Sequence, residues 1–223
     1  DEQKHEDGAK LFDFCARCIK DFIETHFGSC DHLDEHLSLG FTFSYPTVQR
    51  AIDHGELIRW TKGFDNPNTE GRDCADMLRT SLKRFNVPVK LSSIINDTTG
   101  TLIASNYVDP RTKIACIFGT GCNAAYMESI GNIPKLSNLD LPADEQMVIN
   151  CEYGAFDSFE HRYLGSLRSK YDVEIDLSSN KPNQQAFEKM IAGKYLGEIY
   201  RLVLCELVYD GVLFLGQETY KIE

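Results

Sequence analysis

From Gly8 to Phe27, apolar residues fall at Leu11, Phe14/Cys15, Cys18/Ile19, Phe22 and Phe27, with charges between them at Lys10, Asp13, Arg17, Lys20, Asp21 and Glu24. That spacing predicts an amphipathic helix with one face on a core, closed by Gly28. The period then changes. Leu37-Ser38-Leu39-Gly40-Phe41-Thr42-Phe43-Ser44 alternates large apolar with small or polar residues and predicts a strand that Pro46 stops. Asp53-His54-Gly55 is a turn signal, and Leu57 to Thr61 reads as a second strand. Ala75, Leu78, Leu82 and Phe85 mark a second amphipathic helix. Pro88 breaks it, and Val89 to Ile95 predicts a third strand ending at Asn96-Asp97.

Beyond this point Thr98 is the expected cap of a helix running to Asn106. Lys113 to Phe118 is short and strongly apolar, which predicts a strand central in its sheet. Gly119-Thr120-Gly121 turns the chain into a strand over Asn123–Ile130. A long loop holding Pro134, Pro142 and three acids leads to a strand over Met147–Cys151 that ends in Glu152-Tyr153-Gly154. Residues 155–182 carry no clear period. Helices are expected over Gln184–Ala192 and Tyr195–Val208, the second apolar on most sides and therefore buried. Alternating strands and helices predict an α/β or α+β architecture, with a boundary at Asp97/Thr98 that divides the chain into 1–97 and 98–223.

Length and charge narrow the function classes. The 223 residues leave room for one large domain or two small ones. Lys+Arg number 23 against 34 Asp+Glu, a formal net charge of −11. Nucleic-acid binding and polybasic membrane attachment both need clustered cations, so neither partner is expected. No apolar run approaches the ~18 residues of a membrane span. The opening Asp1-Glu2-Gln3-Lys4-His5-Glu6-Asp7 is neither a signal nor a transit peptide and lacks an initiator Met, so a processed or cut start is expected. The chain has 8 cysteines, most of them inside apolar periodic segments, as expected of buried free thiols in a reducing cytoplasm. Cys15-x-x-Cys18 with His26, Cys30 and His32 holds zinc-type ligands, but helix-core cysteines are the preferred reading of the first two. The Asn96-Asp97-Thr98 glycosylation sequon carries little weight without a secretory signal.

Polar residues recur at the strand ends: Ser44, Thr61-Lys62, Asn96-Asp97, Thr120 to Asn123, and Glu152. In open α/β sheets strand ends line the ligand crevice, and such a set suits a polyhydroxylated ligand whose every hydroxyl must be paired when buried. Caps and turns also collect polar residues there, so periodicity alone leaves both readings open. Gly119-Thr120-Gly121 can cradle an anion through its backbone N–H groups, although it is neither a P-loop nor a dinucleotide fingerprint.

Leu39-Gly40-Phe41-Thr42-Phe43-Ser44-Tyr45-Pro46, followed by Leu57-Ile58-Arg59-Trp60-Thr61-Lys62-Gly63-Phe64, resembles the hexokinase sugar-binding signature without a gap or a wrong residue. The resemblance continues in order through Ile95–Leu102, Phe118–Ala124, Ile149–Phe156 and Gln185–Met190, and it covers nearly the whole chain. Tyr153 and the Lys170-Tyr171-Asp172 context resemble fungal rather than animal members. The resemblance implies part of a two-domain α/β fold of the actin-like ATPase (ribonuclease H-like) type, with 1–97 from the small domain and 98–223 from the large one. It implies transfer of phosphate from Mg²⁺-ATP to the 6-hydroxyl of a hexose (glucose, with fructose and mannose as further candidates), the first step of glycolysis, in the cytoplasm. It also leaves room for a homodimer.

By match, Asp97 is the catalytic base, since a sugar hydroxyl is a poor nucleophile that a carboxylate can orient and deprotonate. Lys62 matches a position beside the reacting oxygen, where a cation offsets developing charge. Ser44, Thr61, Asn96, Asn123, Glu152 and Glu188 match positions that read the other hydroxyls. Thr120 and Gly121 match a phosphate-contacting segment, and Gly193 a position beside the nucleotide. No protein metal ligands are expected. The family's Asp-x-Gly-Gly-Thr-Asn type phosphate loop is expected before residue 1 and its adenosine-binding glycine segment after Glu223. Two readings follow: a piece of a hexose kinase, with little turnover expected of the 223 residues alone, or a non-catalytic glucose-binding module.

Overall fold

The computed structural model describes residues 2–28 and 37–218. The chain forms two compact units, Asp1–Ala104 and Ser105–Glu223. Of the zinc-type cluster, Cys30 and His32 lie outside the described residues.

In the first unit the helical period becomes α1, Gly8–Phe27. Asp7 caps it by accepting from the Ala9 N–H at 2.9 Å, and Phe12, Ala16 and Ile23 are buried. Helix α2, Cys74–Arg84, is capped by Asp73 and buries Ala75, Leu78 and Leu82. Asp13 of α1 ties the two helices by accepting from Ser81 at 2.7 Å and Arg84 at 2.6 Å. Strands β1 (Leu37–Thr42) and β4 (Val89–Ile95) pair in parallel, with an irregularity at Leu39/Gly40. Between them in sequence lies an antiparallel hairpin of β2 (Thr47–Ala51) and β3 (His54–Leu57). Phe43, Leu57, Trp60, Leu91 and Ile94 join the helices in one core.

The expected strand over Leu57–Thr61 is corrected: β3 ends at Leu57. The following amides leave the ladder, Ile58 donating to the Pro46 carbonyl and Trp60 to the Glu70 carboxylate. Apolar Ile58 stands exposed, so the alternation there does not mark a sheet face. Cys15 packs against the core but is only half-buried, and Cys18, expected on the same apolar face, is exposed. Helix α3, Asp97–Val108, starts one residue before the expected cap. The Asn96 side chain does the capping, accepting from the Thr98 N–H at 2.8 Å.

The second unit holds an antiparallel sheet in the order β5 (Ile114–Phe118), β6 (Cys122–Ser129), β7 (Gln146–Asn150). Among the described residues β6 is central and β5 is an edge with Ile114 and Phe118 exposed, contrary to the expectation for that apolar run. Residues 155–182 contain α4, Lys170–Ser178. Its buried positions include Asp172 and Asp176, which erase the apolar stripe; its sequence mark is the Ser169/Asp172 capping box. The last helices are α5 (Ala186–Ile191) and α6 (Gly193–Tyr209). The expected burial of α6 is also corrected: Val208 is its buried residue, while Leu196 and Tyr200 are exposed.

Candidate functional site

The predicted site residues fall into two sets, one in each unit. Those of the first unit stand on an aromatic frame. Phe43, Tyr45, Trp60 and Phe64 contact one another with ring centroids 4.7–5.9 Å apart. Trp60 is 1% exposed, and its indole N–H donates to the Asn66 carbonyl and the Thr69 hydroxyl, each at 3.1 Å. Asn66 is buried in turn and donates to the carbonyls of Gln3 and Glu6. The start of the chain thus braces the loop that carries Thr61 and Lys62.

Lys62 sits in the left-handed region at φ 59°, an uncommon setting for a residue with a side chain. Its ammonium donates to the Ser44 carbonyl at 2.8 Å and lies 5.3 Å from the Tyr45 ring centroid. Burial pushes the Tyr45 hydroxyl upward in pKa, which keeps it neutral beneath this cation. Lys62 is therefore anchored to the strand end that also carries Ser44. Among the described residues the hydroxyls of Ser44 and Thr61 make no hydrogen bond, although Thr61 is buried.

Asp97 opens α3, where the helix dipole favours a negative charge. Its Oδ1 accepts from the Thr98 N–H at 2.9 Å. Among the described residues Oδ2 accepts nothing, so one carboxylate oxygen remains open for a proton donor.

The second unit holds its site residues by polar contacts. Asn123 is buried on β6; its amide donates to Asn150 at 2.7 Å and to Glu152 at 3.3 Å, and its oxygen accepts from the Glu152 N–H at 2.9 Å. Asn150 also donates to Glu152 Oε1 at 2.9 Å. Glu152, like Lys62, is left-handed, at φ 51°. Sequence reasoning assigned Asn150 no role, although it lies in the matched motif two residues before Glu152.

Glu188 of α5 is 3% exposed, and its Oε2 accepts from the Cys122 N–H at 3.0 Å. Its Oε1 accepts no hydrogen bond among the described residues. Gly154 makes this approach possible: a Cβ there would meet the Cys122 carbonyl and Glu188 at 3.1 Å. Burial, and then the Cys122 thiol beside it, push the Tyr153 hydroxyl up to about 12, so it stays a donor.

The predicted phosphate segment is the turn between β5 and β6. Gly119 N–H donates to the Gly121 carbonyl, and the start of α6 docks on the turn through Gly193 N–H to Gly119 O at 2.8 Å. A Cβ on Gly193 would lie 2.9 Å from that carbonyl, which requires glycine. Thr120 is exposed, and its hydroxyl has no partner among the described residues. An open hydroxyl on a locked glycine turn fits a phosphate contact. Among the described residues no three His, Cys, Asp or Glu side chains gather as a metal site, and no helix is long and apolar enough to cross a membrane.

Comparison with known proteins joins these sets to one family. Two family models, both described as Hexokinase, match residues 1–107 and 113–223. A hexokinase of Emericella nidulans is 51% identical over 227 residues, covering 100% of this chain and 45% of that protein. Hexokinase-1 of Saccharomyces cerevisiae is 46% identical, covering 99% and 44%. A solved structure of a Schistosoma mansoni hexokinase complexed with glucose superposes with a TM-score of 0.85 at 38% identity, over 97% of this chain and 47% of that one. The fold is thus part of the hexokinase, actin-like ATPase type. The chain spans less than half the length of the curated relatives it matches.

Proposed function

We propose that this chain, which belongs to the hexokinase family, supplies the sugar-binding and proton-accepting residues of an enzyme that phosphorylates the 6-hydroxyl of hexoses, glucose first among them. The observation that carries the reading is Asp97. Its motif is the family's, it opens a helix at a strand end, and one of its oxygens is unclaimed among the described residues. A carboxylate so placed accepts the proton of the attacking hydroxyl as the new O–P bond forms and the bond to the leaving ADP breaks. Thr61, Ser44 and Asn96 are assigned to hexose hydroxyls, as are Asn123, Glu152 and Glu188. Lys62 offsets charge on the transferred group.

The nucleotide would meet Thr120 and the backbone of Gly121, on a turn steadied by Gly193. Mg²⁺ would arrive with ATP and neutralise phosphate charge. Fructose and mannose share the 6-hydroxyl and are candidate substrates. The cytoplasm is the compartment that this reading carries with it.

The test is a phosphotransfer assay on the full-length protein carrying these residues, with glucose, fructose or mannose and Mg²⁺-ATP. The reading expects the hexose 6-phosphate as product. Glucose binding, read from Trp60 fluorescence, with no product formed would establish the binding-module reading instead.

A further inference from the structure

Glu188 stands on a helix of only six residues, too short to hold itself, and the sugar-site residues do not explain what fixes it. Its chain neighbour Lys189 is 4% exposed. The Lys189 ammonium donates to Asp176 Oδ1 at 2.6 Å, to Ser179 Oγ at 2.8 Å and to the Lys181 carbonyl at 2.8 Å. Three donors thus meet three acceptors. Asp176 is 2% exposed. Its Oδ2 accepts from Arg168 at 3.0 Å, and both oxygens face the Asn183 N–H at 3.0 and 3.2 Å. Asn183 and Gln185, which lead into α5, are left-handed at φ 65° and 52°, so Asp176 also holds the strained turn that aims the helix.

A buried ion pair is weak evidence for stability, because apolar side chains of like volume often do as well. What the three-point ammonium contact adds is direction. We infer that the Lys189–Asp176 pair is a positioning device for Glu188: it sets the roll of α5, seats Glu188 Oε2 on the Cys122 N–H and leaves Oε1 for a substrate hydroxyl. Lys189 and Asp176, 4% and 2% exposed, act through Glu188. The inference rests on the hexose reading of Glu188.

Arg168 supplies the control, since it binds the same carboxylate without belonging to α5. In the full-length protein, glucose affinity is read from Trp60 fluorescence, KM for glucose and for nucleotide from kinetics, and stability from melting. Lys189→Met is expected to raise glucose Kd and KM about fivefold, with nucleotide KM unchanged, as loss of an oriented hydrogen-bonding contact predicts. Arg168→Met is expected to lower the melting temperature while leaving glucose Kd unchanged. An unchanged Kd in Lys189→Met, or an equal loss in both variants, overturns the inference. Where Lys189→Met fails to fold, Ser179→Ala removes one of the three acceptors and is expected to raise Kd about twofold; an unchanged value there also overturns it. Glu188→Gln separates the two levels. If Glu188→Gln weakens glucose binding and Lys189→Met does not, only the positioning role fails; if Glu188→Gln has no effect, the hexose reading of Glu188 fails and takes this inference with it.

Discussion

The two units hold their site residues by opposite means. In the first, Lys62, Thr61 and Ser44 ride on packed aromatic rings, with Trp60 almost fully buried at the centre. In the second, Asn123, Glu152 and Glu188 are held by amides, carboxylates and a buried ion pair. Packing is non-directional and tolerates small changes in shape. A buried polar network is directional, and one lost member leaves its partners unpaired. The first unit should therefore lose stability before it loses geometry, and the second should lose geometry along with stability.

Four substitutions separate these behaviours. Trp60→Ala removes the centre of the aromatic frame and is expected to cost about 3–5 kcal/mol, read by chemical denaturation. Amide exchange across residues 122–152 should be unaffected below the unfolding transition; a change there would break the comparison. Asp176→Asn comes next, at about 3 kcal/mol near neutral pH. Burial acts to raise the Asp176 carboxyl, but the hydrogen bond and charge of Lys189, the Asn183 amide and the Arg168 charge outweigh it and hold it below the usual carboxylate value. A lowered folded value stabilises fully above the unfolded value near ~3.9, and the gain is lost as pH falls through the folded one. The stability gap between wild type and Asp176→Asn should thus shrink on acidification, as measured by denaturation from pH 6 downward. A gap independent of pH would contradict the charge-based account.

Asn150→Ala removes one acceptor from the Asn123 amide and one donor from Glu152; it is expected to cost about 0.5–1.5 kcal/mol and to weaken glucose binding in calorimetry. Ile58→Thr, at an exposed apolar position, should stay within about 0.5 kcal/mol. A large effect there would restore Leu57–Thr61 to the sheet.

The same contrast decides how much could be read from the chain. Helices α1 and α2 and strands β1 and β4 were legible because one apolar face of each meets the core, and the period records it. Leu57–Thr61 misled because its alternating residues pack on a loop rather than a sheet, with amides bound by Pro46 and Glu70. Helix α4 was hidden because Asp172 and Asp176 occupy buried positions that hydropathy scores as surface. The candidate site came from motif order: the matched motifs assign roles to Asp97, Asn123 and Glu188, while Asn150 and Lys189, inside the same motifs, drew none because their contacts depend on partners 27 and 13 residues away. Long-range polar pairing leaves no periodic trace.

The central claim is that Asp97 takes the proton from the hexose hydroxyl. Asp97→Ala in the full-length protein, with turnover and glucose Kd measured on the same preparation, tests it most directly. Turnover should fall by at least about a hundredfold, the usual contribution of a general base, while glucose Kd stays within about threefold. Turnover within tenfold of wild type, or a loss in glucose affinity that accounts for the whole fall, would contradict the assignment and make Asp97 a binding residue.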